Sequence, residues 1–260
     1  MDRIDLVGVG SLYAIERDGT IAAGGIAAEA PLAARALGVS TVPVARVGMD
    51  RLGTAITDSL KASGLDVSSI QVDSDLATAR RVQRAAGVRI EPYAAFDNLQ
   101  FDSDVEALAR NAEVIVTDAC SRRHSQARQA IDRMWTIGAN AVRVVDLVRR
   151  SPSASGDDRL DREAVGNAIE LCQVFLVDRV ALRTLVPATS DPVEAARRFA
   201  TLVRSIAVLV LDDATPRFIG PRDTIEIPGW VAARSCEASV AAALAVVRGD
   251  DVASALASRS

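Results

Sequence analysis

The side chains best suited to chemistry in this 260-residue sequence are carboxylates at the predicted ends of strands. Asp146 ends a predicted apolar strand, and Asp178 follows a later one and precedes a predicted helix. If both strands belong to a parallel sheet, these carboxylates lie at its carboxyl edge, where ligands bind in open α/β sheets. Asp146 is therefore either a functional residue or one that orients the following loop, whereas Asp178 is better explained as a helix N-cap.

The other reactive side chains form no recognised catalytic or metal-binding motif. His124 is the only histidine and lies in the polar stretch 121–125, which is typical of a helix N-terminus. A Ser-His-Asp hydrolase is therefore disfavoured, and we expect a solvated or capping role for His124. Cys120, Cys172 and Cys236 are odd in number and widely spaced, which indicates reduced thiols and not a disulfide framework or a zinc site.

A glycine pair after the first predicted strand is the start of a dinucleotide-binding pattern. Gly8 and Gly10 fit G-x-G-x-x-G, but Tyr13 stands at the third glycine position. A hairpin is predicted next, because Asp18 and Gly19 lie between two short β-prone runs and this dipeptide favours a type I′ turn. The helix N-terminus that a pyrophosphate requires is missing. The pair is therefore interpreted as a tight exit from the strand.

Composition limits the class of protein. Hydrophobic residues make up 49% of the chain, and 30 Lys and Arg are interspersed among 34 Asp and Glu for a formal net charge of −4. This balance disfavours a nucleic-acid partner, and 3% aromatic residues are too few for base stacking. No apolar run approaches the roughly 20 residues that span a bilayer, and the charged N-terminus argues against a secretory signal. We expect a cytoplasmic globular protein without a membrane partner.

The elements that must position these residues alternate along the chain. Apolar strands are predicted at residues 4–9, 41–47, 113–117, 141–146, 174–177 and 207–211. Helices are predicted up to residues 37 and 61, and at 104–110, 125–137, 162–171, 192–204, 236–248 and 251–258. This alternation predicts a parallel sheet covered by helices on both faces. Residues 66–101 are β-like and irregular, 149–158 form a loop, and 217–219 and 224–227 form an antiparallel edge.

Two segments of the first half resemble the PfkB, or ribokinase-like, family of carbohydrate and nucleoside kinases. Residues 44–70, VARVGMDRLGTAITDSLKASGLDVSSI, are similar to the family's V-G-R-V-G-x-D-x-x-G followed by an amphipathic helix and a G-V-D turn. Residues 24–38, GGIAAEAPLAARALG, are similar to G-G-x-x-x-N-x-A-x-x-x-A-x-L-G. Later pieces occur in family order, so the likeness covers nearly the whole chain.

The resemblance implies an α/β fold: a three-layer α/β/α sandwich with a mostly parallel central sheet and a small β lid. It implies one domain over residues 1–260, with a hairpin lid at 11–23. Family lids often pair across a dimer. A homodimer is therefore predicted through apolar lid residues that would be costly to leave exposed, namely Leu12, Tyr13, Ile15 and Ile21. The alternative is a lid that folds over the protein's own cleft.

Family members phosphorylate a hydroxymethyl group with ATP and Mg²⁺, using an aspartate base and a glycine-rich anion hole in the signature D-T-x-G-A-G-D. The resemblance also implies substrate binding at Gly24, Gly25 and Glu29, the last in place of the family's Asn. The signature region, 231–240, reads VAARSCEASV. One register puts Ala238 at the base position and a shift by one puts Glu237 there, and neither restores the glycines that let backbone approach phosphate.

Other positions of the implied cleft depart from the family in the same way. The aspartate expected after the first strand is Ile15, with Glu16 adjacent. The N-x-x-E motif associated with metal and phosphate runs from Asp178 to Ala181, without its glutamate. The T-x-G segment of the nucleotide site is replaced by residues 211–213, Leu-Asp-Asp.

Two functions therefore stay open. The first is a PfkB-like protein with impaired or absent phosphotransferase activity, a pseudokinase that binds a small molecule or a partner. The second is an active ATP-dependent kinase of a sugar or nucleoside hydroxymethyl group, with Glu237 as the catalytic base. ATP and Mg²⁺ are expected as cofactors only in the second case.

Overall fold

The computed structural model describes residues 3–84, 87–90, 94–147, 168, 170–187, 189–210, 217–220, 224–226, 240 and 243–244. The predicted loop at 149–158, the segment 211–213, the helix at 251–258 and the candidate base positions Glu237 and Ala238 lie outside these residues. The positions described within predicted helices 162–171 and 236–248 are helical.

The central sheet has nine strands within the described residues, and seven of them are parallel. The spatial order is β5 (Ile70–Asp73), β4 (Thr41–Gly48), β1 (Ile4–Val9), β8 (Ala112–Asp118), β9 (Val142–Asp146), β10 (Val174–Asp178), β11 (Ile206–Val210), β12 (Arg217–Ile219) and β13 (Thr224–Glu226). The last two strands run antiparallel at one edge, as predicted. The carboxyl ends of β1, β4, β8, β9 and β10 therefore meet along one edge of the sheet.

Helices cover both faces of this sheet, which confirms the predicted three-layer α/β/α sandwich. They are α1 (Ile26–Ala36), α2 (Arg51–Ala62), α3 (Ser103–Asn111), α4 (Ser125–Ile137), α5 (Arg179–Leu185) and α6 (Pro192–Val203). One apolar core lies between the sheet and α3 to α6. A second core packs α1 and the helical residues near 240 against the opposite face. No helix in the described part of the chain is long and apolar enough to cross a membrane.

The predicted hairpin is present and belongs to a larger lid of four strands. Its spatial order is β3 (Thr20–Gly24), β2 (Tyr13–Arg17), β6 (Ala79–Arg84) and β7 (Gly87–Ile90). Asp18 and Gly19 have φ angles of 49° and 77°, the left-handed pair that a type I′ turn requires. β6 runs parallel to β2 and antiparallel to β7. A 3₁₀ helix, Ala95–Asn98, follows β7 and leads back to α3.

The base of the lid hairpin is packed within the chain on both faces, and its tip is exposed. Leu12, 0% exposed, packs with buried residues of α1 and α2. Tyr13, 2% exposed, faces the other side and packs with β6 and β7. Ile15 and Ile21 are half-buried. Packing within one chain therefore covers these apolar side chains wholly or in part, without a partner subunit. The homodimer stays a prediction, and it is no longer supported by exposed lid residues.

Candidate functional site

The motif that best matches the kinase family ties the lid to the central sheet. Asp50 is the N-cap of α2, and its Oδ1 accepts a hydrogen bond from Gly53 N at 2.8 Å. Its two carboxylate oxygens also accept from Thr78, from the backbone N at 2.7 Å and from Oγ1 at 2.8 Å. Burial disfavours the charged form, but these donors outweigh it and lower the pKa of Asp50 below its ordinary 3.8.

Two positions of this motif must be glycine, because neighbouring backbone atoms leave no room for a Cβ. A Cβ at Gly53 would lie 2.3 Å from Gly48 O, and one at Gly48 would lie 2.6 Å from Leu76 O. Gly48 N also donates to Thr78 Oγ1 at 2.9 Å. The pattern Gly48, Asp50, Gly53 therefore forms a hinge clamp, which holds the residue before β6 against the start of α2.

The predicted substrate-binding residues meet at the N-terminus of α1. Gly25 has φ +100°, and a Cβ there would lie 2.3 Å from Ser11 O. Glu29 Oε1 turns back to accept from Gly25 N at 3.4 Å. Ser11 accepts from the next two N–H groups: its Oγ accepts from Ile26 N and its carbonyl from Ala27 N, both at 3.1 Å. The first donors of α1 are therefore occupied by the protein's own oxygens.

A half-buried carboxylate that the sequence did not single out lies beside this helix terminus. Asp118 ends β8 and accepts hydrogen bonds from the hydroxyls of Ser11 and Ser121. Ser121 N donates to Asp118 Oδ1 at 2.7 Å, and Ser11 N donates to Ser121 Oγ at 2.6 Å. Burial raises the pKa of Asp118 more than these donors lower it. The sequence pattern that singled out Asp146 also applies to Asp118, because an aspartate ends each of these two neighbouring strands.

The other residues singled out in the sequence, Asp146, Asp178 and His124, have three different surroundings in the structure. Asp146 is buried at the end of β9, in register with Asp118 of β8. Asp178 accepts from Ala181 N at 2.6 Å, which confirms its predicted N-cap role. His124 stands at the N-cap position of α4, but its side chain makes no capping hydrogen bond. Its Nε2 lies 3.3 Å from the buried Asp97 Oδ1 instead, so the capping prediction for this side chain is wrong.

The described cysteines are free thiols. Burial raises the pKa of Cys172 to about 12. Burial and the neighbouring charge of Asp118 also raise the pKa of Cys120. The thiolate is the nucleophilic form of cysteine, so neither side chain is suited to covalent catalysis at neutral pH.

The inner face of the lid carries an apolar cluster, which we call the lid core. It consists of Tyr13, Ala79, Ile90, Ala94 and Phe96, with Ile15 and Cys120 packed partly buried against it. The cluster joins β2, β6, β7 and the 3₁₀ helix to the loop that follows β8 at the carboxyl edge. A Cβ at Gly24 would lie 2.6 Å from the Tyr13 ring and 2.7 Å from Ile15 Cδ1. Apolar side chains therefore cover Gly24, whereas Gly25 lies against Ser11.

The described residues do not fit Mg²⁺ at the N-x-x-E position. Asp178 is engaged as an N-cap, and Ala181, which stands in place of the glutamate, is buried and has no oxygen ligand to offer. Within the residues that the structure describes, no group of three His, Cys, Asp or Glu could hold a metal ion.

A seven-stranded parallel sheet with an antiparallel edge and a four-stranded lid is the PfkB, or ribokinase-like, carbohydrate kinase fold. Among solved structures, the apo fructokinase from Vibrio cholerae O395 is similar, with a TM-score of 0.78 at 14% identity over 96% of this chain and 91% of that chain. The adenosine kinase from Sinorhizobium meliloti has a TM-score of 0.76 at 15% identity over 98% and 90%. A putative ribokinase II from E. coli in complex with ATP and Mg²⁺ has a TM-score of 0.75 at 17% identity over 98% and 89%.

The sequence itself adds no narrower assignment. No protein-family model matches the chain, and no curated protein is a significant match. At these identities the structural likeness is one of fold. Proteins named as sugar kinases and as a nucleoside kinase share it, so the fold alone does not select a substrate.

Proposed function

We propose that this chain is a PfkB-fold protein with impaired or absent phosphotransferase activity that binds a small molecule or a protein partner. The observation that carries the proposal is the lid core. Tyr13 and Phe96 are buried between the lid and the carboxyl edge, and Tyr13 covers Gly24. A polar acceptor in contact with Gly24 would have to displace apolar side chains that are already out of water, at a cost of about 1.5–3 kcal/mol for each one re-exposed.

The N-terminus of α1 supports the same proposal. Glu29 stands where the resemblance implies an Asn, and its carboxylate already accepts from Gly25 N. An ionised carboxylate only accepts hydrogen bonds, whereas an amide also donates them. A substrate hydroxyl at this position therefore lacks the hydrogen-bond donor that the amide of an Asn would supply. A phosphate oxygen at the same position is repelled by the negative charge of the carboxylate.

The sequence of the signature region adds the third line of support. Neither register of residues 231–240 provides both anion-hole glycines. With Ala238 at the base position, loss of general base catalysis alone lowers the rate by about 10²–10⁴-fold. The free thiols of the partly buried Cys120 and the buried Cys172 support a cytoplasmic, reducing setting.

The direct test is an assay of phosphoryl transfer. The protein is incubated with ATP, Mg²⁺ and a panel of sugars and nucleosides, and release of ADP is measured for the wild type, Glu237→Ala and the surface control Glu170→Ala. We expect turnover far below about 1 s⁻¹ for all three. Turnover above about 1 s⁻¹ that disappears in Glu237→Ala and persists in Glu170→Ala would establish the active kinase and overturn the proposal.

Binding is measured separately by thermal stabilisation with ATP, ADP, sugars and nucleosides. A ligand at 100 times its dissociation constant stabilises the folded state by about 2.7 kcal/mol. We expect no shift with millimolar ATP and Mg²⁺. A large ATP shift without turnover would retain the pseudokinase assignment and identify its ligand.

A further inference from the structure

An open apolar groove lies at the edge of the central sheet opposite the antiparallel strands. It has a volume of about 470 Å³ and lies between α2 and β5. Met49 and Val72, which line it, are 74% and 56% exposed. We call this surface the α2–β5 groove. Met49 and Val72 therefore give one groove two exposed apolar side chains, and exposed apolar surface of this kind can take part in an interaction when a partner covers it.

The strand that borders the groove is an edge strand. Within the described residues, β5 is the last strand of the sheet and pairs with β4 alone. The Gln71 side chain donates to Gln100 O at 2.8 Å and to Asp102, while Val72 faces α2 across the groove. A short edge strand with an apolar flank is a surface on which another chain can dock.

The charges on α2 identify what kind of chain fits. Arg51 and Asp58 are both exposed and both line the groove. They are two helical turns apart, about 10 Å, with the exposed Thr54 between them. Asp50, engaged as the N-cap, lies beside Arg51 at one end of this stripe. The exposed Lys61 follows Asp58 at the other, so each end carries one charge of each sign.

Arg51 also contacts Glu16 of its own lid at 3.2 Å. A second copy would have to replace this exposed pair, and it would gain from the new pair only because the contact removes both charges from water.

The opposite charges of Arg51 and Asp58 make the groove complementary to a second copy turned end over end. If a second copy packs its α2 antiparallel about a two-fold axis near Thr54, Arg51 faces Asp58 of the partner subunit. The reverse pair forms by the same symmetry. Met49 and Val72 then become buried at the flank of the contact. A partner with one net charge would match one of these two side chains and be repelled by the other.

We propose that the α2–β5 groove is a self-association surface that takes a second copy of this chain, with the two α2 helices antiparallel. The interface predicted for the lid hairpin is thereby placed on a different face of the molecule. We expect a contact centred on one helix from each subunit to be small, and small, partly polar contacts give weak and reversible dimers.

The first test is sedimentation velocity of the full-length protein from about 1 to about 200 μM, a range chosen for a weak interface. We expect a dimer that grows with concentration. Val72→Lys should raise its dissociation constant at least about tenfold, because it puts an unpaired charge into the contact. The matched control is Leu202→Lys on α6, a residue that is 74% exposed away from the groove, and it should leave the dissociation constant unchanged.

The second test is a charge swap. Arg51→Glu should weaken the dimer about fivefold or more by placing like charges together, and Arg51→Glu with Asp58→Arg should restore it. A chain that stays monomeric over the whole concentration range overturns the proposal. The same holds if the monomeric chain binds an added peptide in the groove, because the occupant is then not a second copy. A dimer that survives Val72→Lys but is lost in Thr20→Arg would place the interface on the lid and overturn it equally.

Discussion

Asp73 shows at the scale of one residue how a buried carboxylate is kept charged. Asn98 Nδ2 donates to its Oδ2 at 2.8 Å, two backbone N–H groups donate to Oδ1, and Arg46 Nε lies 2.9 Å from Oδ2. These partners lower the pKa of Asp73 to about 2 against the opposing effect of burial. Asp118 is the opposite case, since burial prevails over its three donors and raises its pKa.

The lowered pKa of Asp73 predicts acid destabilisation. Because the folded-state pKa lies below the unfolded value of 3.8, the unfolded chain binds the proton first as the pH falls. The stabilisation is complete above about pH 5, on the order of 1–2 kcal/mol, and is lost as the pH falls through about 4 to about 2. Urea unfolding of the wild type and Asp73→Asn should differ by that amount at pH 6 and converge towards pH 2. A difference that is constant with pH would contradict the assignment.

At the scale of elements, the hinge clamp couples a helix start to a lid strand. Asp50 caps α2 and also holds Thr78, the residue that precedes β6. Asp102 caps α3 through Val105 N at 2.9 Å, and its other carboxylate oxygen accepts from Gln71 Nε2 of β5 at 2.9 Å. The two aspartates share the capping role, but only Asp50 holds the lid in this way.

Asp50→Ala is therefore expected to cost more than Asp102→Ala. Loss of a cap alone costs about 1 kcal/mol, and leaving Thr78 without its acceptor adds about 1–3 kcal/mol. Hydrogen exchange should become faster at the amides of β6 in Asp50→Ala and stay unchanged there in Asp102→Ala. Equal costs and equal exchange in the two variants would show that the clamp does not hold the lid.

Regular elements were predictable where local pattern determines them. Helix Ser125–Ile137 and strand Ile4–Val9 match the predicted bounds, because the apolar spacing that defines each lies within the element itself. Residues 66–101 were predicted only as irregular β structure. The strand β6 forms within this segment because it pairs with β2, which is far away in sequence. A local sequence pattern cannot identify a pairing partner at that distance.

The candidate site shows the same division. The hairpin turn and the N-cap role of Asp178 followed from residue type and spacing. The lid core did not, since Tyr13 and Phe96 are brought together by the fold alone. Asp118 was missed because the predicted strand ended one residue before it, and the base position Glu237 stays a prediction outside the described residues.

At the scale of the whole molecule, the lid and the sheet share a packed interior. Phe96 and Tyr13 are buried in the lid core, and Cys120, from the loop after β8, packs against them. Side-chain packing therefore holds the lid against the carboxyl edge of the sheet.

This packing predicts slow modification of Cys120. Phe96→Ala should destabilise the protein by about 3–5 kcal/mol and speed alkylation of Cys120, because opening of the lid becomes easier. Site-resolved mass spectrometry after alkylation gives the rate for each cysteine. Cys172, buried in the other core, is the internal control. If both thiols speed up alike, global unfolding explains the change and local lid opening does not.

The place of β1 has a consequence for how the chain is made. β1 is the first strand along the chain, yet it lies between β4 and β8, near the middle of the sheet. One of its edges stays unpaired until residues up to 118 have been synthesised, and the β2 to β6 contact likewise waits for residues 79–81. Long-range pairings of this kind slow folding and leave an open strand edge for longer. A nascent chain that stalls before β8 therefore carries an apolar strand ready to pair with any neighbouring chain.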